Sequence, residues 1–373
     1  MVVESVLLLS LLLWILILLL PWQPWRTKER FDSCDVRESK LLRDVTVLIP
    51  ARNEAASIHH CLTSLLGQPG ALKIIVIDDC SDDCTDRVAR DILGDRGKVI
   101  KGTTPPQGWS GKLWALEQGL REVKTSYVLL LDADIVVEKG VVSSALSFMM
   151  KNNIDLFSLM AWLHMKLPVE RLFLPAFVYF FKLIYPFSLV NKKGYFVAAA
   201  AGGFILTKTI LLRQTGAFSA IRDCIIDDCN LARLVKRNGG TLFLGLTHCV
   251  KSIRQYKGLD EIWKMVERTA YVQLGYNPLL LLATTGLMAL AFVVPFIGLV
   301  YGHYLTLVMS FLTLFVMAIS YRPVLKYYFL PDWLCLGLPL VAVMYMAMTW
   351  SSAIKYYFGA GASWKGRTYR KQD

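Results

Sequence analysis

Tyr127-Val128-Leu129-Leu130-Leu131-Asp132-Ala133-Asp134 decides how this chain is read. A short apolar run bounded by polar groups predicts a buried strand. Its end delivers two carboxylates, Asp132 and Asp134, to one edge of a sheet, and strand alternation puts residues two apart on the same face. Such a pair can hold a hard divalent cation that substrate phosphates also bind. Alone, the pair reads equally well as a strand end with solvated acids. The segments around it separate the two readings.

Upstream, 45–50 (Val-Thr-Val-Leu-Ile-Pro) predicts a buried strand, followed by the polar turn Ala51-Arg52-Asn53-Glu54 and a helix over 57–66. A second strand, 72–77, ends in Asp78-Asp79-Cys80-Ser81-Asp82-Asp83, and a helix follows over 85–93. A short strand at 99–101 and a helix over 113–123 lead back to the Asp132 strand. Strand and helix alternate, which predicts an α/β domain with a mostly parallel sheet covered by helices on both faces. Ligands of such sheets bind at the carboxyl ends of the strands. Each of the three longer strands ends in polar or acidic residues there, and that coincidence favours a functional site over solvated acids. Neither G-x-G-x-x-G nor G-x-x-x-x-G-K-[ST] is present, which disfavours a dinucleotide oxidoreductase and a P-loop NTPase.

Downstream, a helix over 141–150 and a strand over 156–165 are expected. The aromatic stretch 171–190, with Pro175, Lys182 and Pro186 inside it, reads as a helix in a membrane interface or, alternatively, a core helix. The small-residue run 198–203 reads as tight packing or as a floor where backbone approaches a ligand. Asp227-Asp228 then opens a helix over 231–237, stopped by Asn238-Gly239-Gly240. Capping accounts for one of these acids and leaves the other for chemistry.

The 373 residues are 55% hydrophobic, too apolar for an ordinary soluble enzyme. The excess lies at the ends: 5–20, 277–320 apart from His303, and 333–354 carry no charge. At about 20 residues per span they predict one N-terminal and about three C-terminal membrane helices. Residues 1–25 read as a retained anchor rather than a cleaved signal, because Glu4 precedes the apolar core and no small-x-small site follows it. Trp22, Trp25, Arg26, Lys28 and Arg30 suit a cytoplasmic interface. The organisation expected is an anchor at 1–25, a cytoplasmic catalytic domain at 45–276 with interfacial helices near 171–190 and 259–274, about three spanning or re-entrant helices at 277–354, and a basic tail at 355–373. Three C-terminal spans set that tail (Lys355, Lys365, Arg367, Arg370, Lys371) outside, against the positive-inside tendency, and 325–338, interrupted by Pro331, is where the span count is most open. The formal net charge of +12 favours an anionic partner. No basic stripe interleaved with aromatics marks the central region, so nucleic acid is not expected. The eight cysteines form no C-x-x-C pair; Cys80 and Cys84 lack a second pair at zinc spacing, and free thiols are expected.

The ordered motifs Val47-Leu48-Ile49-Pro50-Ala51-Arg52-Asn53-Glu54, Ile77-Asp78-Asp79-Cys80-Ser81-Asp82-Asp83, Gly111-Lys112-Leu113-Trp114-Ala115, Leu131-Asp132-Ala133-Asp134 and Ile226-Asp227-Asp228-Cys229-Asn230 resemble family 2 glycosyltransferases of the GT-A fold. Within that group the chain is most similar to the membrane-anchored, hopanoid-associated glycosyltransferases of bacteria, and more distantly to ceramide glucosyltransferases. The resemblance implies that Pro50, Arg52 and Glu54 lie beside the nucleotide, that Asp79 with Asp78 faces the base, and that Lys112 sits near the donor diphosphate or sugar. It implies that Asp132 and Asp134 bind the diphosphate through Mg2+ or Mn2+, that Asp228 is the general base, and that Asp227 stands for the Glu of the family's Glu-Asp motif. Many processive members carry Gln-x-x-Arg-Trp late in the chain. Here Met265-Val266-Glu267-Arg268-Thr269 keeps only the Arg, so Arg268 is left to meet the pyrophosphate and polymer synthesis is disfavoured.

The implied activity is inverting transfer of a hexose from a nucleotide-diphosphate sugar, a UDP-sugar foremost, to the hydroxyl of a hopanoid-like or sphingolipid-like acceptor at the bacterial inner membrane. Two other readings stay open: a processive polysaccharide synthase, and a membrane scaffold whose transferase domain has decayed.

Overall fold

The computed structural model of the chain describes residues 2–35 and 39–359, with the backbone of 362–364 and 367–369. Two compact units form, neither continuous in sequence. One comprises Met1–Lys28, Met165–Ser188 and Tyr256–Ser363; the other comprises Glu29–His164, Leu189–Gln255 and Trp364–Asp373.

The second unit is built on a sheet of eight strands: β1 (Val45–Ala51), β2 (Lys73–Asp78), β3 (Gly97–Lys101), β4 (Tyr127–Leu131), β5 (Ile135–Val137), β6 (Leu156–Trp162), β7 (Phe204–Lys208) and β8 (Leu242–Ser252), in the order β3-β2-β1-β4-β7-β6-β8-β5. The first four are parallel, as their alternation with helices requires. The other half is mixed: β7 runs antiparallel to β4 and β6, β5 antiparallel to β8, and β6 parallel to β8. Direction reverses at β7 because it starts where β4 ends. Leu131 pairs with Phe204, and the Asp132 N–H donates to the Gly203 carbonyl at 3.3 Å. The apolar positions of β1, β2 and β4 are buried with those of helix Ile58–Leu66 and helix Val141–Lys151 in one core. Phe31 joins that core through the segment before β1, which lies along β8: Phe31 N–H donates to Leu246 O (2.9 Å) and Leu246 N–H to Glu29 O (2.8 Å).

Among the described residues, the first unit holds four helices long and apolar enough to cross a membrane: Val2–Leu19, Pro278–Tyr301, Tyr304–Tyr327 and Asp332–Phe358. At about 1.5 Å per residue a helix of this length matches a hydrocarbon core of about 30 Å. The break expected within 325–338 falls between two of them, where Phe329 takes a positive φ of 55° and Arg322 pairs with Asp332 at 2.7 Å. Beyond Gly359 the basic tail lies outside the described residues, save the short backbone stretches named above.

Of the helices expected near 171–190 and 259–274, the first as far as Ser188 and the second fold within this same unit. The first divides at Pro186 into Pro168–Ile184 and Phe187–Val190; the second is Leu259–Gln273. Tyr179 shares a hydrogen bond with Ser320 (2.8 Å), and Tyr345 donates to the Phe173 carbonyl (2.6 Å). The wholly buried Glu170 fixes the start of both stretches that enter the unit. Its Oε2 accepts the N–H groups of Lys166 (2.8 Å) and Leu167 (2.9 Å), and its Oε1 accepts that of Tyr256 (2.8 Å).

On Val2–Leu19 the buried residues Leu7, Ser10, Leu11 and Trp14 form one helical stripe. Pro295 has no N–H to give the Ala291 carbonyl four residues earlier, and the helix widens at Ala289–Val293. Trp14 Nε1 donates to that carbonyl at 3.0 Å, so an indole supplies what the proline withholds. Trp14→Phe is expected to cost about 1 kcal/mol, because a carbonyl in an apolar surrounding loses a donor. A lower unfolding midpoint of the detergent-solubilised protein would show it; an unchanged midpoint would mean that the bond has no net worth.

Candidate active site

Because β1, β2 and β4 are parallel, their carboxyl ends share one edge. Two loops there are tied to each other. Arg52, after β1, donates from its guanidinium to the carbonyls of Asp79 (2.6 Å) and Cys80 (3.0 Å). Asn53 donates its N–H to Ser81 Oγ (3.0 Å) and accepts the Asp82 N–H at its side-chain oxygen (2.9 Å). Glu54 N–H donates to Thr85 Oγ1 (2.8 Å), and the Glu54 carboxylate accepts from Ser57 Oγ (2.5 Å). Asn53, Cys80 and Cys84 hold positive φ angles of 52°, 53° and 65°. Left-handed backbone at non-glycine residues costs energy and persists where the surroundings over-determine it.

Asp78 and Asp79 are buried at the end of β2. Asp78 Oδ2 accepts the Ser81 N–H (3.3 Å), while its Oδ1 is buried with no hydrogen-bond partner among the described residues. An acceptor buried without a donor is costly, and an N–H of a ligand would satisfy it.

Asp132 and Asp134 occupy the turn between β4 and β5 rather than an extended strand, so turn geometry, not alternation, sets their relation. Burial, the charge of Asp132 and then that of Glu54 raise the Asp134 carboxyl to about 6, with Arg254 pulling the other way. Ser252 Oγ lies 3.4 Å from Asp134 Oδ2. Hard carboxylate oxygens whose mutual repulsion a cation would relieve fit a divalent ion of the Mg2+ or Mn2+ type.

Lys112 stands in the first turn of helix Gly111–Glu122, whose N-cap Ser110 accepts the Leu113 N–H at 3.4 Å. Its ammonium lies 2.9 Å from Asp132 Oδ1 and 3.1 Å from Asp227 Oδ2. Burial pulls the Lys112 pKa down, but Asp132 and Asp227 outweigh it and hold the group firmly protonated. Asp227 and Asp228 begin helix Asp227–Arg237, yet neither is its N-cap, which is Ile226. Asp227 turns to Lys112. Asp228 accepts the Cys229 N–H at Oδ1 (2.7 Å) and the Gly202 N–H at Oδ2 (2.8 Å). Burial, then the charge of Asp227, raises the Asp228 carboxyl to about 6, against the pull of Lys112 and both amides. A Cβ on Gly202 would stand 3.3 Å from Asp228 Oδ2 and 3.5 Å from Lys112 Nζ, so the floor suggested by the small-residue run is a close approach at Gly202. Lys112, Asp132, Gly202, Asp227 and Asp228 line one pocket with Pro50, Phe218 and Ile221.

The residues read from the sequence thus divide. Pro50, Lys112, Asp132, Asp227 and Asp228 share the pocket; Arg52, Glu54, Asp78 and Asp79 form the tied loops; Asp134 is in the adjoining turn. Arg268 belongs to the other unit, on helix Leu259–Gln273. Sequence reasoning missed Ser252 and Arg254 beside Asp134, and the β8 residues carry no motif that would have flagged them. Cys80 and Cys84 join no ligand cluster among the described residues. Cys34, Glu138 and Cys249 do gather within 4.8 Å, but Glu138 already pairs with Lys251 at 2.6 Å.

The model of glycosyl transferase family 2 matches residues 46–202, and that of glycosyl transferase family group 2 matches 127–354. The chain belongs to the family 2 glycosyltransferases. Among curated proteins, 4,4'-diaponeurosporenoate glycosyltransferase of Staphylococcus aureus is 37% identical over 91 residues, 24% of this chain and 24% of that protein. The chain therefore spans about a quarter of the length of that relative. Among solved structures, the mannosyltransferase PcManGT from Pyrobaculum calidifontis, in complex with GDP-Man and Mn2+, superposes with a TM-score of 0.56 at 16% identity, covering 95% of this chain and 99% of that one. The fold is of the GT-A type, with the apolar helices added at both ends.

Arg52→Met should leave the fold intact but free the carbonyls of Asp79 and Cys80, at about 1–3 kcal/mol for hydrogen bonds from a charged donor. The expected result is weaker nucleotide binding by calorimetry. Unchanged affinity would show that the tie between the loops does not organise the pocket.

Proposed function

We propose that this chain is a membrane-bound inverting glycosyltransferase that moves a sugar from a nucleotide-diphosphate donor, a UDP-sugar foremost, to a hydroxyl of a lipid acceptor at the bacterial inner membrane, with the sheet unit in the cytoplasm. One observation carries the reading. A turn bearing Asp132 and Asp134 and a helix start bearing Asp227 and Asp228 converge through the Lys112 ammonium.

In this reading Asp78 and Asp79 take the base, and Arg52 and Glu54 shape the loops that hold it. Asp132 and Asp134 would hold Mg2+ or Mn2+, which when bound supplies positive charge to the leaving diphosphate. Lys112 adds a fixed cation beside them, and Arg268 is assigned to the pyrophosphate on family resemblance. Asp228 takes the proton of the acceptor hydroxyl as its oxygen bonds to the anomeric carbon and the bond to the phosphate oxygen breaks. One base opposite one leaving group makes a single displacement, so an α-linked donor gives a β-glycoside. Four membrane-length helices support a lipid acceptor, as does the name of the staphylococcal relative, which specifies a carotenoid acid. A hopanoid-like or sphingolipid-like alcohol is the class the motifs favour. Loss of the Gln and Trp around Arg268 supports one transfer rather than a polymer. Lipid extracts of cells with and without the gene test the whole reading; a missing glycolipid is expected, and a missing glycan ladder would point to polymer synthesis.

Asp134→Ala should abolish transfer while the protein stays folded and in the membrane, and chelator should do the same to the unaltered protein. Activity that survives both would remove the metal role.

Asp228→Asn keeps shape but cannot take a proton, so turnover should fall about 10²- to 10⁴-fold with donor affinity little changed. The base must be ionised to act. Activity of the unaltered protein should therefore rise with pH through about 6 and level off above it. Asp227→Asn removes a negative neighbour that raises Asp228, so it should shift that midpoint to lower pH. If Asp227→Asn kills turnover and Asp228→Asn does not, the base is Asp227.

A further inference from the structure

Between helix Phe187–Val190 and the small-residue run, the chain makes a loop, Lys192-Lys193-Gly194-Tyr195-Phe196, that the reaction does not use. Both ends are fastened. The Lys236 ammonium donates to the carbonyls of Leu189 (3.3 Å), Val190 (2.8 Å) and Val197 (2.7 Å), which closes the base of the loop on one cation. Asn191 adds a two-way bond to Leu244, its side-chain nitrogen donating to Leu244 O (3.1 Å) and its oxygen accepting Leu244 N–H (2.7 Å).

Above that base the loop stands clear. Phe196 is fully exposed, at 102% of its reference area, and Tyr195 is 48% exposed. Lys192 and Lys193 are exposed beside them, with Lys192 Nζ 5.7 Å from the Tyr195 ring centre. Gly194 has a φ of +84°, and nothing lies within 4 Å of the place a Cβ would take. The three Lys236 bonds hold the two ends of the loop together. Exposed aromatics beside paired lysines need a surface that offers an apolar layer and anionic groups together.

We propose that this loop seats in the bilayer interface, Phe196 and Tyr195 among the upper acyl chains and Lys192 and Lys193 on anionic phospholipid headgroups. A bilayer supplies both chemistries at one depth, as amphipathic membrane-surface segments require. The covalent chain brings it within reach. Lys192 follows Ser188, the last residue of the apolar unit's second stretch, by four residues, at most about 14 Å of chain. The proposal rests on the membrane-length helices and not on the transfer reaction, so it stands or fails separately from the assigned activity.

The test uses the full chain in nanodiscs of mixed phosphatidylcholine and phosphatidylglycerol, with the photo-crosslinking residue benzoylphenylalanine placed at position 196 by codon suppression. The expected result is a phospholipid adduct at 196 by mass spectrometry, with phosphatidylglycerol enriched over its share of the bilayer. Lys192→Gln with Lys193→Gln should remove that enrichment. Adducts confined to protein, whether this chain or a second copy, would overturn the proposal, as would a label that reacts with no lipid. Lipid adducts whose composition ignores the lysine substitutions would overturn the headgroup contact. Far-ultraviolet circular dichroism of the double variant, expected unchanged, separates loss of charge from misfolding.

Discussion

The arrangement of the pocket depends on one ammonium. Lys112 reaches Asp132 on one side and Asp227 on the other, and without it two acid pairs from distant parts of the chain would face each other across a partly buried space. Partial burial makes each uncompensated charge expensive, so the lysine is what allows the turn after β4 and the start of helix Asp227–Arg237 to approach. It does not neutralise them. Asp132, Asp134, Asp227 and Asp228 bring four carboxylates to this region, with Arg254 acting on Asp134 as well as Lys112 on its neighbours, and burial followed by the nearby acids raises Asp134 and Asp228. Crowded hard carboxylate oxygens of this kind are what a bound divalent cation would relieve. Burial first, and then the charge of Asp227, raise the Asp228 carboxyl to about 6.

A second constraint acts where the chain passes between its two units. Met165 and Tyr256 each begin a stretch of the apolar unit, and Glu170 accepts backbone N–H groups at both beginnings. Breaking a hydrogen-bonded buried carboxylate leaves several backbone donors without partners at once, so these starts are coupled rather than independent. The helix that carries Arg268 starts three residues after Tyr256 and is further held by Ser351 and Lys355, both on Glu267. The departures at Met265 and Thr269 thus sit on a helix fixed at both its start and its middle.

What was legible in the sequence was whatever is local. Buried runs such as 45–50 and Tyr127–Leu131, and the acids that follow them, announce themselves through apolar run length and helix alternation. β8 does not. Gly245, Thr247 and His248 interrupt its apolar pattern, and its pairing with β6 and β5 is decided by distant partners. β7 was not read from the sequence at all, and neither its existence nor its start at Phe204, against the end of β4, is marked by a local pattern. For the site, residue types at strand ends pointed to the acids, but their partners could not be read. Capping was a fair account of one acid of the Asp227-Asp228 pair, yet Asp227 answers a lysine more than a hundred residues earlier. Arg268 could be recognised by resemblance alone, since nothing local says to which unit its helix belongs.

The fixed backbone around the two halves of the pocket has a common logic. In the loops after β1 and β2, Asn53, Cys80 and Cys84 hold left-handed conformations that cost energy, and the cross-bonds of Arg52, Asn53 and Glu54 maintain them. Within the pocket, the amides of Gly202 and Cys229 each donate to one oxygen of Asp228. Those bonds lower the basicity of the carboxylate, so they do not exist to strengthen it. Their effect is orientation: with one lone pair of each oxygen engaged, the remaining ones face fixed directions. Burial and Asp227 restore the basicity that the amides remove. Gly202 eases this arrangement, since a Cβ there would press on Asp228 Oδ2 at 3.3 Å and come into contact with Lys112 Nζ at 3.5 Å. The Asp228 carboxylate is therefore held in one direction while burial and Asp227 raise its proton affinity.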